Sequence, residues 1–279
     1  MIIQTLLDIK QIIKHNINQV IAVAEKDIKL KIRFKFLLII SYISPIITIL
    51  MPLIIFQTLF DFKESFGPWN ADNYAVFVLN TYNISLLTQI INSFPNQLRR
   101  EKFWKTLPAL IIAPFNRFDL LLGILLTNFI LIALPFIIFF ILIFIIYPIS
   151  LWTILFILFI YLLIALIFSG IGLLLGVFAI SKENLWMIFS FLLNLIFWAS
   201  CLTYPFDLFP EVFQNIIILN PLYYIFTFLR MAWINNNVLF TIMNYFPHFL
   251  IILIASTTLP ITAVYLFNKI YSRYGIVGY

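Results

Sequence analysis

The chain has 279 residues, of which 63% are hydrophobic and only 10% are charged, and its net charge is +6. A soluble globular domain carries about 25% charged residues, so this chain has too few to cover a surface that faces water. The composition therefore excludes a soluble enzyme or binding domain and makes lipid the solvent for most of the protein. The single cysteine, Cys201, excludes an intrachain disulfide and any Cys-x-x-Cys metal or redox site.

The first 35 residues are predicted to form an amphipathic helix on the membrane surface. Cations are concentrated just before the first long apolar segment, where they would lie near anionic lipid head groups. A plain cationic anchor would explain these charges but not the apolar residues that recur at helical spacing before them. Charges spread through the first turns do not fit a cleavable signal, so we expect this segment in the mature protein. The apolar positions are Ile2, Leu6, Ile9, Ile13, Ile17, Val20, Ala24 and Ile28, and the cations are Lys26, Lys29, Lys31, Arg33 and Lys35.

Six membrane-spanning helices are predicted, since each needs about 20 apolar residues. No charged residue occurs between Leu120 and Ser181, which is too long for one span, and the turn signal at 147–150 divides it into two. The sequence thus indicates an all-α polytopic membrane protein with a transmembrane domain at 36–268 and a tail at 269–279. The six spans are predicted at about 36–60, 73–98, 120–147, 151–180, 184–204 and 246–268.

The distribution of cations predicts the orientation of these spans. With six spans, both termini and the loops at 99–118 and 181–183 share one side, and that side carries 15 of the 17 Lys and Arg residues. Only Lys63 and Arg230 fall on the other side. By the positive-inside rule, the termini are expected in the cytoplasm of a protein that crosses the cell membrane several times.

The segment from Arg99 to Pro108, RREKFWKTLP, is a basic island between two long apolar segments. A polar surface held between two spans is expected to contact a partner, with cations pairing to carboxylates and aromatic side chains filling an apolar pocket. A basic, aromatic turn at the membrane surface would also satisfy the positive-inside rule and the aromatic belt.

The region at 205–245 is apolar, but polar residues and prolines divide it into pieces that are too short to cross a membrane easily. We predict two short helices, either dipping into one leaflet as a re-entrant element at about 205–232 or lying at the interface. Sequence does not separate these alternatives. The residues that mark this region are Pro210, Asn220, Pro221, Tyr224 and Arg230.

Polar side chains in the second predicted span have two interpretations. They line a translocation pathway, because polar groups in a span usually face protein or water, or they form hydrogen bonds between packed helices. The glycine pair Gly172 and Gly176 likewise suits close helix packing, either within one chain or between two. The polar residues are Asn80, Asn83, Gln89 and Asn92.

No catalytic constellation is present in the sequence. The two histidines, His15 and His248, have no Cys, Asp or Glu at metal-ligand spacing, so no metal site is expected. No glycine is followed by lysine, so the chain has no P-loop, and any ATP that drives it must be bound by another polypeptide. The predicted spans contain no carboxylate, Lys or Arg, which weighs against a secondary transporter or a channel lined by charged rings.

Two blocks of sequence resemble the permease subunit of type-2 ABC exporters. The first, from Arg99 to Gly123, matches the family's charged run, Thr-Leu pair, Ala-Pro pair, basic residue and glycine, although Lys105 and Pro108 replace the usual Gly and Glu. The second, from Pro205 to Arg230, matches an Asn-Pro-Leu-x-Tyr pattern followed by Leu-Arg. The matching residues of the first block are Glu101, Thr106, Leu107, Ala113, Pro114, Arg117 and Gly123.

This resemblance implies an ATP-driven exporter in which two permeases form the pathway and two cytoplasmic ATPase subunits bind beneath them. The ATPases would use ATP and Mg, whereas this chain would bind no cofactor. The island would be a coupling helix at about 99–113, and the region at 205–232 would close the outer end of the pathway. The substrate would be amphipathic: a drug, a lipid or a lipid-linked glycan. The coupling residues implied are Arg99, Arg100, Glu101, Lys102, Phe103, Trp104, Thr106 and Leu107.

The alternative is a membrane scaffold that recruits a cytoplasmic partner without transporting anything. A membrane enzyme is the third interpretation and the least favoured, since the sequence shows no acid/base pair and no nucleophile dyad. An exporter predicts that substitution of Glu101 or Trp104 abolishes transport and weakens association with the ATPase.

Overall fold

The structure, a computed structural model, describes residues 2–61, 64–105, 117–181 and 183–274. Over these residues the chain is almost entirely helical, which confirms the predicted all-α polytopic class. One small hairpin, formed by the antiparallel strands β1 (Ser65–Phe66) and β2 (Trp69–Asn70), follows the second helix. The helices are α1 (Ile2–Arg33), α2 (Lys35–Leu59), α3 (Tyr74–Phe103), α4 (Arg117–Ile146), α5 (Leu151–Ser181), α6 (Glu183–Trp198), α7 (Glu211–Ile218), α8 (Pro221–Asn235), α9 (Val238–Asn244) and α10 (Phe246–Tyr274).

Five helices in the described part of the chain are long and apolar enough to cross a membrane, namely α2, α3, α4, α5 and α10. The pair α7 and α8, bent by 91° at its break, would make a sixth if it counts as one span. Five of the six predicted spans thus coincide with long helices.

The predicted span at 184–204 differs from the structure, because α6 ends at Trp198. At 1.5 Å per residue its 16 residues reach about 24 Å, which is less than the hydrocarbon thickness of about 30 Å. The chain turns after it through Cys201, whose φ is 54°. The side chain of Arg230 holds this turn by donating hydrogen bonds to the carbonyl oxygens of Cys201 and Leu202.

Helices α3 and α5 form the centre of the bundle, with the other long helices around them. A Cβ on Gly172 would lie 2.8 Å from the carbonyl oxygen of Ile91, and one on Gly176 would lie 2.7 Å from the side chain of Leu98. The glycine pair therefore lets α5 approach α3 within one chain, which answers the question that its sequence left open.

The two ends of α3 lie in different surroundings. Its C-terminal end, together with α1 and the start of α4, forms the basic end of the bundle. Here α1 packs against α4 so closely that a Cβ on Gly123 would lie 2.7 Å from the side chain of Val23. The N-terminal end of α3, the hairpin and the turn at 147–150 form the hairpin end.

An aromatic cluster joins α2, α3 and the hairpin at the hairpin end. The rings of Trp69 and Phe77 meet edge to face with centroids 4.9 Å apart, and Phe56 packs on Phe77 in the same manner. Gly67 turns the hairpin at a φ of 62°, and its hydrogen faces Asp207 so closely that a Cβ would collide with the carboxylate. Nothing in the sequence had predicted this hairpin or its position.

Candidate functional site

The basic island begins in the last turn of α3, where two ion pairs join it to α1. Glu101, only 3% exposed, accepts a hydrogen bond from the ammonium group of Lys26. The next pair runs in the opposite sense, because Arg100 Nη2 lies 2.9 Å from Asp27 Oδ1. We call these four residues, Lys26, Asp27, Arg100 and Glu101, the latch.

The latch forms because adjacent charges on the two helices are complementary, Lys-Asp on α1 facing Arg-Glu on α3. Both carboxylates are almost fully buried, and Asp27 is only 1% exposed. Removing one partner from a buried ion pair costs about 3–5 kcal/mol, because the other charge then lies uncompensated in the interior. The cations of the latch are partly exposed to solvent, which lowers that cost.

The predicted coupling residues therefore separate into two groups. Arg100 and Glu101 point at α1, whereas Phe103 is 84% exposed and Trp104 is 47% exposed at the end of the helix. Arg99 and Lys102 are exposed as well. Thr106, Leu107 and the rest of the predicted coupling helix to residue 113 lie outside the described residues.

A polar cavity of about 610 Å³ lies between α2, α3 and α4, and Lys31 and Arg100 line it at the basic end. Its volume falls in the range of ligand pockets, roughly 300–1,000 Å³. Hydroxyl and amide groups line it together with apolar side chains. The polar wall residues are Ser41, Ser44, Ser85, Thr88, Gln89, Asn92, Ser93, Asn96 and Asn128.

Two of the four polar residues of the second predicted span line this cavity, and two do not. Gln89 and Asn92 are on its wall, with Gln89 Nε2 donating to the carbonyl oxygen of Ser41 at 2.6 Å. Asn80 is fully buried and accepts a hydrogen bond of 2.6 Å from the hydroxyl of Tyr161 on α5. Asn83 is also fully buried. Asn80 thus fits hydrogen bonding between packed helices, whereas Gln89 and Asn92 face a space that a ligand can fill.

Lys31 joins the latch to the polar cavity. Its ammonium nitrogen lies 3.0 Å from Asn128 Oδ1, 3.4 Å from Ser93 Oγ and 3.8 Å from Asp27 Oδ2. Burial lowers the pKa of Lys31, and the nearby Arg100 lowers it further, against the opposing effect of Asp27. Asp27 forms ion pairs with both Lys31 and Arg100, so these three described side chains carry a formal charge of +1.

Sequence reasoning placed Lys31 among the surface cations and did not mark Asp27, Ser93 or Asn128. The available signal was the acidic residues inside a basic helix, which indicate ion pairing. The latch partners of Asp27 and Lys26 lie on α3, 73 and 75 positions further along the chain, so no local pattern identifies them.

Several of the residues that mark the region after α6 form a network of hydrogen bonds at the hairpin end, which we call the clamp. Asn220 Nδ2 donates to the carbonyl oxygens of Ile196 and Ala199, and its Oδ1 accepts from the backbone of Leu222. This caps α8, whose first residue is Pro221, a position that suits proline because its missing N–H would have no partner there. Tyr224 donates to the carbonyl oxygen of Ile218 at 2.7 Å. Pro210 precedes α7 as its N-cap.

Arg230 is the centre of this clamp and is only 2% exposed. Besides the two carbonyl oxygens after α6, it donates to Thr81 Oγ1 at 2.9 Å and lies over the ring of Phe77 at 3.7 Å. Its hydrogen-bond partners among the described residues are therefore all uncharged. The apolar side chains of α8 are buried in the bundle as well, which fits a helix inside the protein better than one lying on its surface.

Comparison with known proteins identifies the family. The family described as ABC-2 type transporter matches residues 18–234, which include the latch, the polar cavity and Arg230. No curated protein matches the chain. Within the described residues, no group of three or more His, Cys, Asp and Glu side chains could hold a metal ion. The match covers well over half of the chain, which therefore belongs to the ABC-2 type transporter family and is a membrane-spanning permease subunit of an ABC transporter.

Proposed function

We propose that this permease forms, as a dimer, the translocation pathway of an ATP-driven exporter, with two cytoplasmic ATPase subunits docking at its basic end. ABC-2 permeases work with ATPase subunits, which bind the ATP and Mg. The observation that carries the proposal is the exposed pair Phe103 and Trp104 at the end of the buried central helix α3. Large aromatic side chains are the usual anchors of a protein interface.

The orientation follows from the cations of the basic end. With both termini and the island in the cytoplasm of a cell-membrane protein, the positive-inside rule is satisfied. The ATPases would then meet Phe103 and Trp104 directly, while the exposed cations Arg99 and Lys102 face carboxylates on the partner. Thr106 and Leu107 complete the coupling helix in this proposal.

In this proposal, Phe103 and Trp104 contact the ATPase, whereas Glu101 belongs to the latch inside the permease. Its carboxylate holds α1 rather than the ATPase, so movement at Trp104 reaches α1 through Glu101 and Arg100. Because Arg100 also lines the polar cavity, the docking surface and the cavity are one helical turn apart.

The polar cavity is the proposed inner part of the pathway, with Gln89 and Asn92 on its wall. The clamp around Arg230, with Pro210, Asn220, Pro221 and Tyr224, is the proposed outer gate. A lining that combines neutral hydroxyls and amides with apolar side chains suits an amphipathic substrate such as a drug, a lipid or a lipid-linked glycan.

The docking proposal is tested by co-purification of the ATPase with a tagged permease. We expect Phe103→Ala together with Trp104→Ala to lower the recovered ATPase about tenfold or more, as loss of an interface anchor does. Trp152→Ala is the matched control, since Trp152 is 77% exposed but lies at the opposite end of the bundle, at the start of α5. Undiminished ATPase on the double variant, with both proteins well expressed, contradicts the proposal.

A further inference from the structure

We propose that the polar cavity binds the phosphate head group of a lipid-like amphiphile, with Lys31 and Arg100 as its cationic partners; this rests on the proposed function, whose substrate class it narrows.

The first argument is charge. Among the residues that the structure describes, the cavity is lined by two cations and no carboxylate. Asp27 lies behind them, 2.9 Å from Arg100 Nη2 and 3.8 Å from Lys31 Nζ, and its single negative charge balances only one of the two. An excess cation in a partly dehydrated site is stabilised by an anionic ligand.

The second argument is the supply of hydrogen-bond donors. Arg100 Nε is buried without a hydrogen-bond partner in the described structure, and a guanidinium group suits the oxygens of a phosphate. Lys31 presents a second cation beside Ser93 and Asn128. A phosphate has several strong acceptor oxygens, so it can use both cations at once.

The third argument is the mixed lining of the cavity. Besides the two cations, hydroxyl and amide groups and several apolar side chains line it. Two of these apolar residues, Phe34 and Leu37, are exposed on the outside of the bundle, where a membrane protein meets lipid. A ligand that matches this lining has an anionic group and an apolar part that leaves the cavity past Phe34 and Leu37, which favours a lipid over free phosphate.

The test uses the full-length permease in nanodiscs of phosphatidylcholine that contain a small fraction of fluorescent phosphatidic acid. Lipid retained after detergent washing is measured on the purified protein. Diacylglycerol with the same chains and label serves as the neutral arm, and inorganic phosphate is added as the soluble competitor. We expect about ten times more phosphate lipid than diacylglycerol to be retained, because a hydrogen bond to a charged group contributes enough free energy for a tenfold difference in affinity.

Two variants that change charge without emptying the cavity, Lys31→Gln and Asn92→Asp, examine the head-group contact, and Lys31→Arg is the conservative rescue. Lys31→Gln is expected to lower retention of the phosphate lipid about tenfold, and Lys31→Arg to restore it. Asn92→Asp keeps the side-chain size and adds a negative charge to the wall, so it is also expected to lower retention. Lys29→Gln is the matched control, since Lys29 pairs with Glu25 on the exposed side of α1.

Each outcome decides the proposal independently of the docking test. Equal retention of the two lipids, or unchanged retention in both Lys31→Gln and Asn92→Asp, overturns the head-group site even if the ATPase still co-purifies. Displacement by inorganic phosphate at concentrations equal to the lipid assigns the site to free phosphate and overturns the lipid. Selective retention lost in both variants supports the site even where the ATPase docks elsewhere.

Discussion

Cations lie at both ends of α3, buried at one end and partly exposed at the other, and the chain satisfies them in different ways. At the hairpin end, Arg230 is enclosed by neutral carbonyl and hydroxyl oxygens and by the ring of Phe77. At the basic end, Arg100 and Lys31 share one carboxylate and line an open cavity. Neutral oxygens fixed in a backbone turn hold an arginine in one place. A shared carboxylate beside a cavity allows its cations to take another partner.

The largest loss of stability is expected at the hairpin end, where Arg230 is enclosed by fixed neutral partners. Replacing it by leucine removes three hydrogen bonds and leaves the carbonyl oxygen of Cys201 without this donor, while that of Leu202 still accepts from Thr81. The expected cost is about 3 kcal/mol or more. We expect Arg230→Leu to lower the melting temperature of the purified protein sharply or to prevent its accumulation.

Arg33→Leu is the control, because Arg33 is exposed on α1. Equal stability of the two variants would show that the buried arginine does not hold α6, α8 and α3 together.

The latch is expected to respond to a change of charge less strongly, because the ammonium group of Lys26 is partly exposed. Glu101→Lys places two cations together, and we expect a loss of about 1–2 kcal/mol in stability. We also expect lower stimulation of ATPase activity by the substrate in the reconstituted complex.

The double variant Lys26→Glu with Glu101→Lys restores opposite charges, so both measurements should recover in part. If the double variant is as impaired as Glu101→Lys alone, the ion pair is not what links α1 to α3.

The two groups of polar residues on α3 can be separated by cysteine labelling. Cys201 is buried, so the natural chain gives a low background. We expect a water-soluble thiol reagent to modify Gln89→Cys and Asn92→Cys in the polar cavity and to leave Asn80→Cys unmodified between α3 and α5. Uniform protection of all three would exclude the cavity from the pathway.

The smallest expected effect is a dependence of lipid retention on pH, caused by Lys31 at the basic end. Because burial and Arg100 lower the pKa of Lys31, it loses its proton at a lower pH than an ordinary lysine. Retention of the phosphate lipid should therefore fall as pH rises, beginning below the pH at which exposed lysines titrate. Asp27 and Arg100 are the charged groups that face it. Lys31→Arg should abolish this decline, and an unchanged pH profile would contradict it.

The long helices could be predicted because their signals are local. The prediction of 151–180 for the fourth span differs by one residue from α5 (Leu151–Ser181), since an apolar run between turn residues fixes both ends. The early end of α6 could not be predicted, because the donor that holds its turn is Arg230, 29 positions beyond Cys201.

The candidate site was predicted less completely, for the same reason. A run of charges predicts an exposed surface, and the sequence accordingly placed Glu101 with Phe103 and Trp104. The structure pairs Glu101 with Lys26, 75 positions away, so the run contains a buried and an exposed part. The aromatic pair is exposed, as the run of charges predicts, whereas the contacts of the carboxylate depend on tertiary packing.

Because α3 runs from Tyr74 to Phe103 as one helix, a tilt of this helix displaces its far end. The hydrogen bonds of Arg230 hold one end, and the ion pairs of the latch hold the other. At 1.5 Å per residue, Thr81 and Phe103 are separated by about 33 Å along the axis, so a tilt of about 5° about Thr81 displaces Phe103 by about 3 Å. That distance is comparable to the 2.9 Å between Arg100 and Asp27. In the proposed exporter, a tilt of this size at Trp104 would therefore move the latch residues by ångströms and carry Arg100, on the wall of the polar cavity, with them.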